Sequence, residues 1–183
     1  SGVIDSVGPG VSQERIGERV WVYMAQTGRA FGTAAEFVVV PSRQAVRLAD
    51  NVPFGVGASF GVPAMTAHRC LFADTNLRGK RVLVHGGAGA VGNAAILLAK
   101  WAGAWVAATV SRDEQADVAR AAGADLVVNR HAGDVAVKIR SATDGHGVDR
   151  IVDVDISANI DTAIACLARD GGVSAYSTGS SLV

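Results

Sequence analysis

The stretch that most constrains this chain runs from residue 81 to 112, RVLVHGGAGAVGNAAILLAKWAGAWVAATVSR. An apolar run enters a knot of glycines, an Ala/Leu-rich helical pattern follows, and a second apolar run closes the stretch. Within the knot, Gly87-Ala88-Gly89-Ala90-Val91-Gly92 has the spacing GxGxxG. The spacing alone is weak in a chain with 22 glycines. Between a strand and a helix it gains meaning, as a turn that holds the phosphates of a dinucleotide. Gly87 is assigned the sharp turn, Gly89 the close approach of backbone to pyrophosphate, and Gly92 the close packing of helix on strand. The helix N-terminus adds free N–H groups and a positive dipole end. The plainer alternative is a tight strand-to-helix turn that binds nothing.

The rest of the chain supports the first reading. From residue 81 apolar strand patterns at 81–86, 104–110, 125–129, 148–155 and 172–177 alternate with helical patterns near 90–102, 113–122, 133–142 and 159–168. This order predicts an α/β fold: a doubly wound parallel Rossmann sheet of about five strands, with right-handed crossovers. Before it, residues 1–52 carry short Val-rich runs punctuated by Gly and Pro, GVIDSV, ERVWVYM, GTAAEFVVVP and AVRLAD, which predict an antiparallel β-rich unit. Two short helices are expected after residue 53, with Pro63 where a helix can begin but hardly continue. The expected domains are therefore 1–52 and 53–183. The first residues read like the middle of a β domain and the last stop just after a fifth parallel strand, so the chain is expected to be an internal piece of something larger.

Charge excludes some partners. Lysine plus arginine number 17 and aspartate plus glutamate number 17, a balance that gives no reason to expect nucleic acid or an anionic membrane. Cys70 and Cys166 lie far apart in helix-like apolar segments and make no ligand cluster. They read as buried thiols of a reduced compartment. No targeting segment or long apolar span is visible, so a soluble cytoplasmic protein is expected.

The tip of the second strand of the sheet decides which dinucleotide fits. An Asp or Glu about 20 residues beyond the glycines would bind a ribose 2′-hydroxyl, yet the chain reads Thr109-Val110-Ser111-Arg112. Ser111 can donate a hydrogen bond and Arg112 can pair with a 2′-phosphate, which favours NADPH. Arg112 as an ordinary solvated arginine is the alternative. Asp113 and Glu114 fit better in the first turn of the next helix, where negative charge suits the dipole. Arg130, just past the third strand of the sheet, is placed as a second wall of the adenine pocket.

Taken together, GVIDSVGPGVSQERIGERVWV, GTAAEFVVVP, GVPAMTAHRCL, RGKRVLVHGGAGAVGNAAILLAKWAGA, AAGADLVVN and GHGVDRIVDV resemble the quinone oxidoreductase (zeta-crystallin-like) branch of the medium-chain dehydrogenase/reductase superfamily. The resemblance runs along almost the whole chain. It implies part of a GroES-like catalytic domain joined to a Rossmann domain truncated after its fifth strand. It also implies zinc-independent hydride transfer from NADPH to a quinone or an α,β-unsaturated carbonyl, in a homodimer.

Residue by residue, the resemblance places Thr66 near the nicotinamide, with helix packing and a hydroxyl bonded to a backbone carbonyl as its alternative. It places Gly89, Ala90 and Val91 at the pyrophosphate, Ser111 and Arg112 at the 2′-phosphate corner, and Tyr176 and Ser177 at the nicotinamide pocket. The relatives' structural zinc lobe would need four cysteines, and AQTGRAF between ERVWVYM and GTAAEFVVV has none. Nor does FGVPAMTAH supply a Cys for a catalytic site, so no metal is expected, and no catalytic acid is assigned.

Three departures stand out: Gln115 where a lysine is common, Arg130 where a tyrosine is common, and Asp153-Val154-Asp155-Ile156-Ser157 where small residues usually turn the loop. Asp155 is expected to bring negative charge toward the cofactor, to bind a ribose hydroxyl, or to point to solvent. The competing functions are an NADP-binding protein with little catalysis and a zinc-type alcohol dehydrogenase.

Overall fold

A computed structural model describes residues 1–179. The expected stop of the chain after its fifth parallel strand falls partly on residues 180–183, outside those described. The chain divides into two compact units, one ending at Met65 and the other beginning at Thr66.

In the first unit, β1 (Gly2–Val3), β2 (Arg19–Val22) and β3 (Ala45–Arg47) form an antiparallel sheet in the order β1-β2-β3. Gly2 faces Val20 and Trp21 faces Val46. Two arginines tie the connections down. Arg15 donates to the carbonyls of Ser42 and Ala45, at 3.1 and 2.7 Å, and to Glu18. Arg19 donates to the carbonyls of Ala49, Asp50 and Val52, and its guanidinium lies 4.4 Å over the Phe54 ring. The bonds to Ser42, Ala49, Asp50 and Val52 add a partner to carbonyls outside the strands.

The strand expected over GTAAEFVVVP does not form. A Val-rich alternation becomes a strand only where a neighbour offers a hydrogen-bonding edge, and none pairs with it among the described residues. Phe37 and Val39 are left 70% and 83% exposed.

Helix α1 (Phe54–Phe72) is two helical pieces that meet at Gly61, whose φ/ψ of 12° and −136° are non-helical. Pro63 lies in the first turn of the second piece, where a missing N–H costs nothing. The two-helix expectation thus holds.

The second unit is the doubly wound sheet. Strands β4 (Arg81–Val84), β5 (Trp105–Val110), β6 (Leu126–Asn129), β7 (Val148–Asp153) and β8 (Leu167–Ala175) pair in parallel in the order β6-β5-β4-β7-β8. Between them run α2 (Ala90–Trp101), α3 (Glu114–Ala121), α4 (Val135–Ala142) and α5 (Ile156–Cys166). Counted from β4, the sheet order is 3-2-1-4-5, so the order reverses beside β4, where ligands bind in folds of this type.

Strand alternation builds the core on both faces. Val82, Val84, Val106 and Ala108 pack with Ala95, Ile96 and Ala99 of α2. Leu83, Ala107 and Ile151 pack with Ile139 of α4 and Ala163 and Cys166 of α5. Burying each large aliphatic side chain contributes about 1.5–3 kcal/mol.

β8 departs from the sequence reading, starting at Leu167 where a helix was expected to continue. Leu167 pairs with Val148, then the register breaks and Gly172 pairs with Arg150. Asp170, at φ 62°, turns the looped-out residues.

Candidate functional site

A cleft of about 580 Å³ opens at the carboxyl ends of β4, β5 and β7. It is lined by the glycine turn, by Ser111, Gln115 and Arg130 on one side, and by Asp155, Tyr176 and Ser177 on the other.

The turn divides its glycine duties differently from the sequence assignment. The left-handed residue is Gly86, at φ 71°, which the sequence reading passed over. Gly87 serves close packing instead: a Cβ there would lie 2.7 Å from the Ala108 Cβ and 3.0 Å from Ile96. A Cβ on Gly92 would sit 2.2 Å from the Gly86 carbonyl oxygen, so α2 starts hard against the turn. Gly89 is roomier, with the Gly86 oxygen 3.3 Å from its notional Cβ. Gly89 is also the N-cap of α2 and supplies no side-chain acceptor. The first amides of the helix are therefore left for solvent or a ligand.

Thr109, at the end of β5, holds this turn from below. Its carbonyl accepts from the Gly87 N–H at 2.9 Å and its Oγ1 from the Gly86 N–H at 3.2 Å. The same Oγ1 lies 3.2 Å from Nδ1 of His85. His85 is 4% exposed and its Nε2 has no hydrogen-bond partner among the described residues. Burial pushes its imidazole below the ordinary value; Asp153 opposes that shift and Arg130 adds to it.

Asp153 is fully buried at the end of β7. Its Oδ1 accepts from the Asp155 N–H at 2.8 Å and from Asn159 Nδ2 at 2.9 Å, and Oδ2 has no partner among the described residues. Asp155 caps α5, with Oδ1 accepting from Ser157 Oγ at 2.6 Å and the Gly179 N–H at 2.8 Å. The Ser157 hydroxyl, then the Gly179 amide, hold its carboxyl below the usual range against some burial. Its charge thus reaches the cleft wall already engaged by the loop. Burial, with smaller effects of Cys70 and Asp153, pushes the Tyr176 phenol up to about 12.

Of the residues singled out from sequence, Gly89, Ala90, Val91, Ser111, Arg130, Tyr176 and Ser177 line the cleft. Gly87 and Gly92 lie buried behind it, shaping the turn. Arg112 is exposed and outside the lining, so the cation in the wall is Arg130. Thr66 is half-buried on α1, also outside the lining, and its hydroxyl makes no hydrogen bond among the described residues. Asp113 is at the N-cap position of α3, but its carboxylate accepts from Asn129 Nδ2 at 2.8 Å. His85, Gly86 and Thr109 were given no role in the site by the sequence reading, and Gln115 was noted only as a departure where a lysine is common. Thr109 and His85 were detectable as polar residues ending apolar strands.

Residues 90–182 match the family model described as zinc-binding dehydrogenase. The chain belongs to that family. Within it the chain falls in the quinone oxidoreductase branch of the medium-chain dehydrogenase/reductase superfamily. It is 32% identical over 174 residues to rat (Rattus norvegicus) quinone oxidoreductase, covering 94% of this chain and 52% of the relative. A quinone oxidoreductase structure from Pseudomonas syringae pv. tomato superposes with a TM-score of 0.82 at 28% identity, over 97% of this chain and 54% of the other. A mycobacterial protein solved with NADPH gives 0.81 at 33% identity, over 98% and 55%. The chain spans about half the length of the curated relatives it matches.

The family description mentions zinc. Among the described residues, no three His, Cys, Asp or Glu side chains come together as metal ligands. A dinucleotide does fit: the turn packs tightly behind the cleft at Gly87 and Gly92, the first amides of α2 have no side-chain cap, and Arg130 lines the cleft.

Proposed function

We propose that this chain is the dinucleotide-holding part of an NADPH-dependent, zinc-independent oxidoreductase that reduces a quinone or an α,β-unsaturated carbonyl. The observation that carries the reading is the cleft at the switch in strand order, with a glycine-rich turn below and no carboxylate at the tip of β5. The relatives named quinone oxidoreductase and the neighbour solved with NADPH support the same choice.

In this reading Ala90 and Val91 offer backbone N–H groups to the pyrophosphate and Gly89, whose own N–H is held by the Gly86 carbonyl, lets the backbone come close to it, while Gly87 and Gly92 keep the turn narrow. Ser111, Arg112 and Arg130 receive the 2′-phosphate through charge-assisted bonds. Thr66, Tyr176 and Ser177 border the nicotinamide. When bound, the dihydronicotinamide supplies a hydride to an electron-poor carbon of the acceptor. The chain's own contribution is positioning, worth several kcal/mol of barrier. The proton comes from solvent or from a residue beyond those described. The reading includes a cytoplasmic homodimer; among the described residues no helix is long and apolar enough to cross a membrane.

The test is a fluorescence titration with NADPH and NADH, followed by NADPH oxidation with a panel of quinones and enones. Saturable NADPH binding with acceptor-dependent oxidation is expected. Binding without oxidation by any acceptor would leave a nucleotide-binding protein, and no binding at all would remove the proposal. Stoichiometric zinc in a metal analysis would overturn its zinc-independent part.

A further inference from the structure

At their carboxyl ends three central strands set a polar row across the sheet. Thr109, His85 and Asp153 follow Ala108, Val84 and Val152, which pair in register. Strand alternation puts all three on the face of Leu83, Ala107 and Ile151. Helices α4 and α5 cover that face with Ile139, Ala163 and the Cys166 thiol, which burial pushes up to about 11 and so keeps neutral. Thr109 Oγ1 accepts from the Gly86 N–H and has one proton of its own to place; His85 Nδ1, 3.2 Å away, is the acceptor it reaches among the described residues. The imidazole proton is thereby assigned to Nε2. That N–H and Oδ2 of Asp153 are two buried polar atoms on neighbouring strands, without partners among the described residues.

We infer that His85 is a proton-linked support of the glycine turn: an anion bound in the cleft draws a proton onto its imidazole, so that protonation and dinucleotide binding reinforce each other. The inference rests on the cleft being a dinucleotide site, as proposed above. His85 lines that cleft, and Thr109 connects its ring to the Gly86 N–H. Charged groups approach from three elements: Asp153 ends β7, Arg130 follows β6, and Asp155 caps α5. Tyr176, beyond β8, is neutral, its phenol pushed up to about 12 chiefly by burial. Without an anion, burial and Arg130 hold His85 neutral against the pull of Asp153. A dinucleotide reverses that balance twice. Its phosphates add negative charge beside the ring, and pairing of Arg130 with the 2′-phosphate cancels a cation that opposed the imidazolium. The charged ring keeps Thr109 by turning Nδ1 into a donor, because Oγ1 has a second lone pair, and its Nε2–H is drawn to the Asp153 carboxylate.

The full chain, isotope-labelled and with His85 assigned through the backbone, would be titrated by NMR from about pH 8 to about pH 5, alone and saturated with NADP+. The ring nitrogens report tautomer and charge directly. The free protein is expected to show the Nε2–H form and a midpoint below about 6.5. NADP+ is expected to raise that midpoint by about half a pH unit or more, which by reciprocity is about threefold tighter binding once His85 is charged. His85→Asn, which cannot carry the charge, extends the test. The ratio of wild-type to variant affinity for NADP+ should climb about twofold or more between those pH limits. A side chain that only fills space would leave the ratio flat with pH. If NADP+ shifts the amide signals of Ala90 and Val91 while the His85 midpoint does not rise, or if the free ring is the Nδ1–H form, the inference is overturned and the dinucleotide reading stands. Should the variant not fold, the wild-type titration decides alone. If neither NADP+ nor NADPH moves any signal, the dinucleotide reading falls and takes this one with it.

Discussion

At the scale of single residues, the glycine turn has the least tolerance. Adding one methyl at Gly92 would drive it into the Gly86 carbonyl, 2.2 Å away, so backbone must move. Gly92→Ala is expected to cost about 1–3 kcal/mol in urea unfolding and to weaken NADPH binding far more than a surface change would. Unchanged affinity would mean that the turn does not touch the phosphates.

The 2′-phosphate corner makes a second demand. Arg112→Ala and Arg130→Ala should each weaken NADPH more than NADH, and Arg130 should dominate because it lines the cleft. Equal losses for both cofactors would remove the assignment. His85 makes a third. Buried and held below its ordinary value, it folds as the neutral form. The unfolded chain, with an imidazole near the usual value of about 6.5, takes up the proton first. Stability should therefore fall as pH drops below about 6.5, and His85→Asn should flatten that slope in melting curves.

At the scale of elements, α2 carries a buried stripe of Gly92, Ala95, Ile96 and Ala99 against the sheet. Ile96→Ala should cost about 2–5 kcal/mol, whereas Leu97→Ala, on a side chain 52% exposed, should stay within about 0.5 kcal/mol. A similar loss at both would mean that α2 does not pack by this face.

This contrast also shows what the sequence makes legible. Strands buried on both faces are mainly apolar, so β4, β5 and β6 announce themselves, whereas β7, VDRIVD, carries buried Arg150 and Asp153 among its apolar residues and is legible chiefly through its place in the alternation with the helices. The glycine duties were half-legible: spacing locates the turn, but which glycine takes the left-handed angle depends on where Ala108 and Ile96 press from the neighbouring elements. GTAAEFVVVP was misread because strand propensity is a statement about a partner edge, which one segment cannot display. Gln115 was invisible as a clamp because that role lies in the hydrogen bonds its Oε1 accepts from the Ser111 and Arg112 N–H groups. Arg112 and Arg130 look alike in sequence and differ only in which one the sheet turns toward the cleft.

At the scale of the whole molecule, the balanced charge of 17 basic and 17 acidic residues leaves little electrostatic repulsion between copies near neutral pH. Solubility should pass through a minimum there and recover at about pH 8.5 or on adding acidic residues. The first unit also leaves Phe31, Phe37 and Val39 more than two-thirds uncovered. Dyes that brighten on apolar surfaces are commonly used to detect loss of tertiary packing. Here such a dye would fluoresce on the intact fold, because it would find these side chains without any loosening of the sheet. A bright reading with a sharp melting transition would thus describe a well-ordered molecule wearing its aromatics outside, and a screen that discards bright samples would discard the native protein.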